Sequence, residues 1–432
     1  MNKILLFGAG KSATVLIEYL AKKCESEMWQ LAVFDSDLSL LRSKTRDHKN
    51  TRGVQGDVSD DSSRESAIEN ADLVISMLPP QLHIRVAHDC LKYSKHLITA
   101  SYIDDAMRSL AGEINNKNLL FLCEMGLDPG IDHMSAMKMF REIYADGGYI
   151  TSFKSHCGGL IAPESDNNPW HYKITWNPMN VVMAGAAGAT FRKNGVNHSV
   201  RYQDVFSNCE EVQVPSLPLL AAYPNRDSLS YMQTYGLDHA ETFVRTTLRY
   251  PSFCNGWNRI INYGLTSLTD ESELKRANTY LDWFKAKSGI TNLGHLEKDR
   301  DFYEQISYLG LLQEEELDAT FTNSAQVMRH LLESRLALAA HDIDMIVMQH
   351  EVEYNVDKIT RRRVSSLVVK GDDNLRTAMA KTVGLPLGIA AVLILSGKIE
   401  QRGLEIPLSA EIYNPVLKEL EKENIRFAET FA

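Results

Sequence analysis

The chain is short of the features that would place it in a class at once. Its six cysteines, Cys24, Cys90, Cys123, Cys157, Cys209 and Cys254, are scattered and form no CxxC pair. Neither a zinc ribbon nor a disulfide framework is expected, and reduced thiols in a cytoplasmic protein fit best. No apolar run reaches the ~18 residues that a membrane span requires. The nearest, residues 383–395, is shorter, contains Pro386 and reads as a buried core helix. The opening Met-Asn-Lys passes directly into a strand-like run with no small-residue cleavage site, so no signal peptide is expected. Positive charge is also scarce: the formal net charge is −10, where a general nucleic-acid binder is more often basic. A small anionic substrate stays open, because a basic pocket can sit inside an acidic protein. Internal repeats, low-complexity tracts and clusters with metal-ligand spacing are all missing.

What is present is length and pattern. A chain of 432 residues is too long for one ordinary core and implies two or three domains. Residues 1–125 alternate short apolar runs with amphipathic stretches. Strands are expected at 3–7, 30–34, 73–76, 96–100 and 119–122, and a helix at 13–23 with Val15, Leu16, Tyr19 and Leu20 on one face. Pro79-Pro80 cannot continue a central strand. Parallel strands joined by helices make a doubly wound α/β sheet of the Rossmann type. The turn-rich segment after Glu124 suggests a boundary. The expected division is a dinucleotide-binding domain at 1–125, an α+β substrate and dimerisation domain at 126–265 plus 346–404, and a helical insert at 266–345. The final stretch, 405–432, contains a helix that packs back on the first domain.

Gly8-Ala9-Gly10-Lys11-Ser12-Ala13 lies between the first strand and the first helix and matches GxGxxG/A. The first glycine permits the tight turn, the second lets backbone approach a pyrophosphate, and the small third residue lets helix pack on strand. The helix N-terminus adds free N–H groups. Gly10-Lys11-Ser12 also mimics the end of a P-loop, but that motif needs a glycine where Leu5 stands. Asp35, at the end of the second strand, has the position of a carboxylate that accepts the ribose hydroxyls of NAD and repels the 2′-phosphate of NADP. With Ser36 following and no arginine nearer than Arg42, NAD is expected over NADP. Asp57 and Val58 after the third strand-like run, and Met77, Leu78 and Pro79 after the next, are expected along the cofactor.

Beyond these strands come Ser101-Tyr102, Glu124-Met-Gly-Leu-Asp-Pro-Gly-Ile-Asp-His133, His156-Cys-Gly-Gly159, the stretch 166–173, Tyr223-Pro-Asn-Arg-Asp-Ser228, Thr247-Leu-Arg-Tyr250, Ala378-Met-Ala-Lys-Thr-Val-Gly384 and Arg402-Gly403. At these residues, and across nearly the whole chain, the sequence resembles the glutamate-forming saccharopine dehydrogenases, also called saccharopine reductases. The strings LDPGIDH and YPNRDS are far more specific than the glycine motif.

The resemblance implies reversible oxidation of the CH–NH group of saccharopine to glutamate and 2-aminoadipate 6-semialdehyde, in lysine metabolism, by an enzyme that is often a homodimer. It implies a small substrate with several carboxylates, which guanidinium groups hold with paired hydrogen bonds. By motif match, Arg226 and Arg249 take that role, and Ser101, Tyr102, Asp128, Thr247 and Leu248 are further substrate contacts, Leu248 only through backbone or packing. Asp128, Tyr102 and Cys157 are the acid–base candidates; His133 and His171 lie in the same segments. No metal is expected, since hydride transfer from an amine needs none. Phe34-Asp-Ser36 departs from the NADP-using fungal members, which carry arginine near this point, and this again favours NAD. Two other readings remain: a carboxynorspermidine-type dehydrogenase of the same superfamily, and a catalytically silent NAD-binding scaffold.

Overall fold

The computed structural model describes residues 1–269 and 272–431. Its first stretch runs β1 (Lys3–Phe7), α1 (Thr14–Ser26), β2 (Gln30–Asp35), α2 (Leu38–Thr45), β3 (Thr51–Gln55), α3 (Asp61–Glu69), β4 (Leu73–Ser76), α4 (Pro80–Lys92), β5 (His96–Thr99), α5 (Asp105–Ser109), α6 (Ala111–Asn116), β6 (Leu120–Leu122) and α7 (Ile131–Ala145). The middle holds β7 (Tyr149–Ile161), α8 (Pro178–Val182), β8 (Ala189–Lys193), β9 (Val196–Val200), β10 (Glu210–Val212), β11 (Leu220–Pro224), β12 (Arg226–Asp227), α9 (Ser230–Thr234), β13 (Thr242–Arg249) and α10 (Pro251–Asn262). It continues with α11 (Ser272–Arg276), α12 (Tyr280–Ser288), α13 (Arg300–Leu309), α14 (Ser324–Arg335), β14 (Asp344–Val356) and β15 (Ile359–Lys370). The chain closes with α15 (Ala378–Leu395), β16 (Gly403–Glu405), α16 (Ala410–Lys422) and β17 (Ala428–Phe431).

Two compact units result: Met1–Gly147 with Leu375–Arg426, and Gly148–Asn374 with β17. The first is built on a seven-stranded sheet in the order β16-β6-β5-β4-β1-β2-β3, with every pairing parallel. This is the doubly wound order with one strand added. A parallel sheet is covered on both faces, so its central strands are apolar throughout: all four residues of β4 are buried. The edge strand β3, Thr-Arg-Gly-Val-Gln, is mostly exposed and correspondingly polar.

The division differs from the expected one. Residues 126–147 and 375–404 belong with the dinucleotide unit, because α7 packs on α16 and α15 packs on α1. Gly384 and Gly388, one turn apart, make the α1–α15 approach close: a Cβ on Gly384 would stand 3.0 Å from Leu16 Cβ, and one on Gly388 would stand 2.8 Å from the Tyr19 ring. The apolar run thus lies in a helix of 18 residues, capped by Thr377 and Ser396. It is apolar enough to cross a membrane by composition, yet most of it is buried inside this unit.

The second unit carries a mixed sheet in the order β10-β11-β13-β7-β14-β15-β17, with β8, β9 and β12 attached beside it. Strands β7 and β13 are parallel; β7–β14 and β14–β15 are antiparallel. The helices of 266–345 are not a separate insert in packing terms. Trp283, Phe284, Phe302 and Leu332 share one core with Trp170, Tyr172, Phe253 and Trp257.

Candidate active site

The glycine turn behaves as its sequence requires. Gly8 has φ +95°, and a Cβ there would press on the Met77 carbonyl at 3.0 Å. Its N–H donates to Phe34 O at 2.9 Å, tying the turn to β2. A Cβ on Gly10 would meet nothing within 4 Å, so the backbone there faces open space. The N–H groups of Gly10, Lys11 and Ser12 find no acceptor among the described residues. Ala13 is buried in the short turn leading into α1. Free donors, an open approach and a helix start together make an anion cradle.

Asp35 does something the sequence did not reveal. One carboxylate oxygen accepts the Ala9 N–H at 2.7 Å and the other accepts the Asp37 N–H at 3.0 Å. Lys44, from α2, donates to the carbonyls of Ala9 and Gly10 at 2.7 Å each. Burial pushes its pKa down to about 8, against the pull of Asp35 and Glu18. Asp35 and Lys44 therefore brace the glycine turn from both sides. Ser36 and Asp57 are exposed, Val58 is half-buried and its carbonyl accepts from Arg64, and Met77, Leu78 and Pro79 lead from β4 into α4.

On the same unit, Ser101 and Tyr102 follow β5 and are half-buried. The loop 124–130 lies against them: Glu124 N donates to Ser101 O, and Met125 N donates to Thr99 O. Gly130, at φ +145°, cannot be replaced, since its Cβ would fall 2.1 Å from Gly126 O. Asp128, half-buried at the crown of this loop, precedes Pro129 through a cis peptide bond. The loop is held from beneath by a buried polar group that the sequence reading left aside. Glu124 accepts from Ile103 N at 3.2 Å and contacts His133 Nε2 at 2.9 Å, while Asp132 accepts from Gly130 N at 2.6 Å. The repeated acidic and imidazole residues of EMGLDPGIDH were the available signal. His133 is thus part of the scaffold of Asp128.

The second unit carries the other candidates. Cys157 and Thr247 are register partners on β7 and β13, so their side chains share one sheet face with Arg249, two residues on. Leu248 points the other way into an apolar cluster, fully buried; its carbonyl accepts from Arg249 Nη1 at 2.8 Å. Arg249 is 5% exposed. Its guanidinium lies over the rings of Tyr172 and Phe253, 5.1 and 5.7 Å from their centroids. Its other hydrogen bond goes to Gly159 O at 3.2 Å, and its Nε is buried with no partner. No carboxylate pairs with it among the described residues. Burial also raises Tyr223, near this arginine, to about 12. Arg226 is exposed on β12 with a left-handed φ of +52°, uncommon for a side-chain-bearing residue. The neighbouring Asp227 is occupied with Thr190 Oγ1 and the N–H groups of Leu229 and Ser230. His171 pairs with Asp166 at 2.5 Å.

Comparison with known proteins now adds to this geometry. The family model for the saccharopine dehydrogenase NADP binding domain matches residues 4–122, and that for the saccharopine dehydrogenase C-terminal domain matches residues 126–425. Over 99% of both chains, the sequence is 31% identical to saccharopine dehydrogenase [NADP(+), L-glutamate-forming] of Schizosaccharomyces pombe. It is 32% identical to alpha-aminoadipic semialdehyde synthase of Arabidopsis thaliana over 99% of this chain, which spans 44% of that protein; the corresponding rat protein is 34% identical and 47% spanned. The chain is thus about half the length of these two relatives. The fold superposes on the solved saccharopine dehydrogenase (L-Glu forming) of Saccharomyces cerevisiae with a TM-score of 0.91, 28% identity and full coverage of both chains.

These findings overturn the expectation of NAD. The matched nucleotide-binding domain is described as NADP-binding, and the fungal relatives are named for NADP(+). The physical reason lies in Asp35. A free carboxylate facing the ribose would favour NAD, whereas here both oxygens already accept backbone N–H groups and the Lys44 ammonium stands close by. Its charge is answered within the protein and does not decide against a 2′-phosphate. With two matched domains and relatives aligned end to end, the chain belongs to the saccharopine dehydrogenase family.

Proposed function

We propose that the chain catalyses the reversible, NADP-dependent oxidation of saccharopine to glutamate and 2-aminoadipate 6-semialdehyde. The observation that carries this reading is Arg249. A guanidinium buried against two aromatic rings, with one nitrogen unsatisfied and no carboxylate partner among the described residues, is costly to fold around. A carboxylate ligand supplies the missing partner with paired, charge-assisted hydrogen bonds. Arg226 offers a second cation, suited to a substrate with three carboxylates, and this favours saccharopine over a carboxynorspermidine-type substrate with fewer.

The glycine turn fits the cofactor. The free N–H groups of Gly10, Lys11 and Ser12 would hold the pyrophosphate, with Lys44 near the turn. Bound NADP supplies a hydride acceptor. In the oxidative direction, hydride leaves the carbon beside the secondary amine, water adds to the resulting iminium, and the carbinolamine collapses to aldehyde and amine. The chain's own part is to fix the substrate carboxylates at Arg249 and Arg226 and to keep the amine unprotonated. It also carries protons to water and nitrogen, for which Asp128 and Tyr102 are the residues in the first unit and Cys157 in the second. Ser101 and Thr247 contribute hydroxyls toward the substrate. The family tendency to dimerise is part of the same proposal.

The test is NADPH appearance with purified protein, saccharopine and NADP⁺. Turnover that yields glutamate in step with NADPH is expected. A protein that binds NADPH but leaves saccharopine untouched would defeat the substrate assignment and keep only the dinucleotide fold.

A further inference from the structure

His83 lies in the first turn of α4 and is 5% exposed. Its Nδ1 is 2.8 Å from Ser76 Oγ, at the end of β4, and its Nε2 is 2.8 Å from Ser101 Oγ, just beyond β5. Ser76 is fully buried. Three side chains on consecutive elements of the first unit therefore form one hydrogen-bonded chain. It begins beside Met77–Pro79, which border the cofactor region, and ends on a hydroxyl assigned to the substrate.

A neutral imidazole has one donor and one acceptor nitrogen, so such a chain runs in a single direction. Burial keeps His83 neutral, with its pKa pushed down to about 4 against the pull of Asp104. Its place at a helix start adds to this, because the positive end of the helix dipole disfavours an imidazolium. The fully buried Ser76 hydroxyl has no other acceptor among the described residues, so it donates to Nδ1, and Nε2–H then donates to Ser101 Oγ. The Ser101 hydroxyl proton is then excluded from the histidine side and is free to point at an acceptor such as a carboxylate.

We propose that His83 is a positioning residue that, braced by Ser76, orients the Ser101 hydroxyl to donate to a carboxylate oxygen of the substrate. This inference rests on the function proposed above. It requires His83 to act on the substrate through Ser101 and not on the cofactor.

A double-mutant cycle tests it, using His83→Leu, Ser101→Ala and the pair, with kcat/KM for saccharopine and NADPH affinity by fluorescence as readouts. Each single change is expected to lower kcat/KM about tenfold, the loss of one hydrogen bond. The pair is expected to lose no more than Ser101→Ala alone, with NADPH affinity unchanged within about twofold. His83→Gln, which keeps a polar group of similar reach, is expected to recover part of the loss and serves in place of His83→Leu should that variant fail to fold. Losses that multiply to about a hundredfold, or a parallel fall in NADPH affinity, overturn the inference, since both mark a general structural role. A wild-type protein inert toward saccharopine overturns the proposed function and this inference together, whereas an active wild type with multiplying losses overturns the inference alone.

Discussion

Replacing Arg249 by methionine separates a binding role from a structural one, because the two predict opposite balances of stability and activity. In the folded chain this guanidinium makes two hydrogen bonds, both to backbone carbonyls, and leaves Nε unsatisfied. Losing them costs about 1 kcal/mol each, and losing the contact over Tyr172 and Phe253 costs a further fraction. Against this, methionine removes a buried cation that has no carboxylate partner among the described residues, and similar volume keeps the aromatic packing. The net change in folding free energy is expected to be within about 2 kcal/mol of zero, a Tm shift of about 5 °C or less. The substrate side has no such compensation. A carboxylate deprived of a bidentate guanidinium loses about 3–4 kcal/mol, or roughly 10²–10³ in kcat/KM. The assay pairs a thermal melt with initial rates over a range of saccharopine, and NADPH affinity should be unaffected. A variant that melts far below wild type and yet turns over at the normal rate would refute the reasoning and make Arg249 a core residue.

Acid should unfold the first unit through His83. An unfolded histidine takes a proton near pH 6.5, whereas His83 takes one only near 4, so the unfolded state binds more protons between these values and stability falls as pH drops through that window. The loss approaches about 3 kcal/mol by the lower end. Denaturant titrations across the range check this, and a His83→Gln variant with the same slope would remove His83 as the cause. Lys44→Met should weaken NADPH binding about tenfold by freeing the carbonyls of Ala9 and Gly10; isothermal titration reads this, and unchanged affinity would count against the brace. Gly384→Val places its first carbon 3.0 Å from Leu16 Cβ and 3.3 Å from Ser12 O. Separating α15 from α1 should cost about 1–3 kcal/mol, with the melt as the check.

The parallel sheet was legible because its strands are buried on both faces and interrupted by turn residues. Runs such as Lys3–Phe7 and Leu73–Ser76 coincide with β1 and β4. The glycine turn and the Asp128 loop were legible for a related reason, since positive φ and tight contact leave only glycine acceptable at positions 8 and 130. Domain boundaries were less so. Nothing local to residues 375–404 says that they pair with α1; that is a long-range fit of the glycines of α15 against Leu16 and Tyr19. The role of Asp35 was misread for the same cause. Its spacing matched a ribose contact, but its partners, Ala9 and Asp37, are settled by how the turn closes. His83 carried no signal in its own segment, because Ser76 and Ser101 meet it only once β4 and β5 lie side by side.

The return of α15, β16 and α16 to the first unit has a consequence for how the protein is made. The helix that follows the glycine turn leaves the ribosome well before its partner: the surface that packs on it, from Gly384 and Gly388, emerges more than three hundred and fifty residues later. Until then, Leu16 and Tyr19 stay without that cover, while the second unit, all but β17, is already available to fold. Nascent chains arrested before Leu375 should therefore hold most of the second unit folded and the first unit unfinished, with the nucleotide-binding half gaining resistance to protease after the bulk of the second.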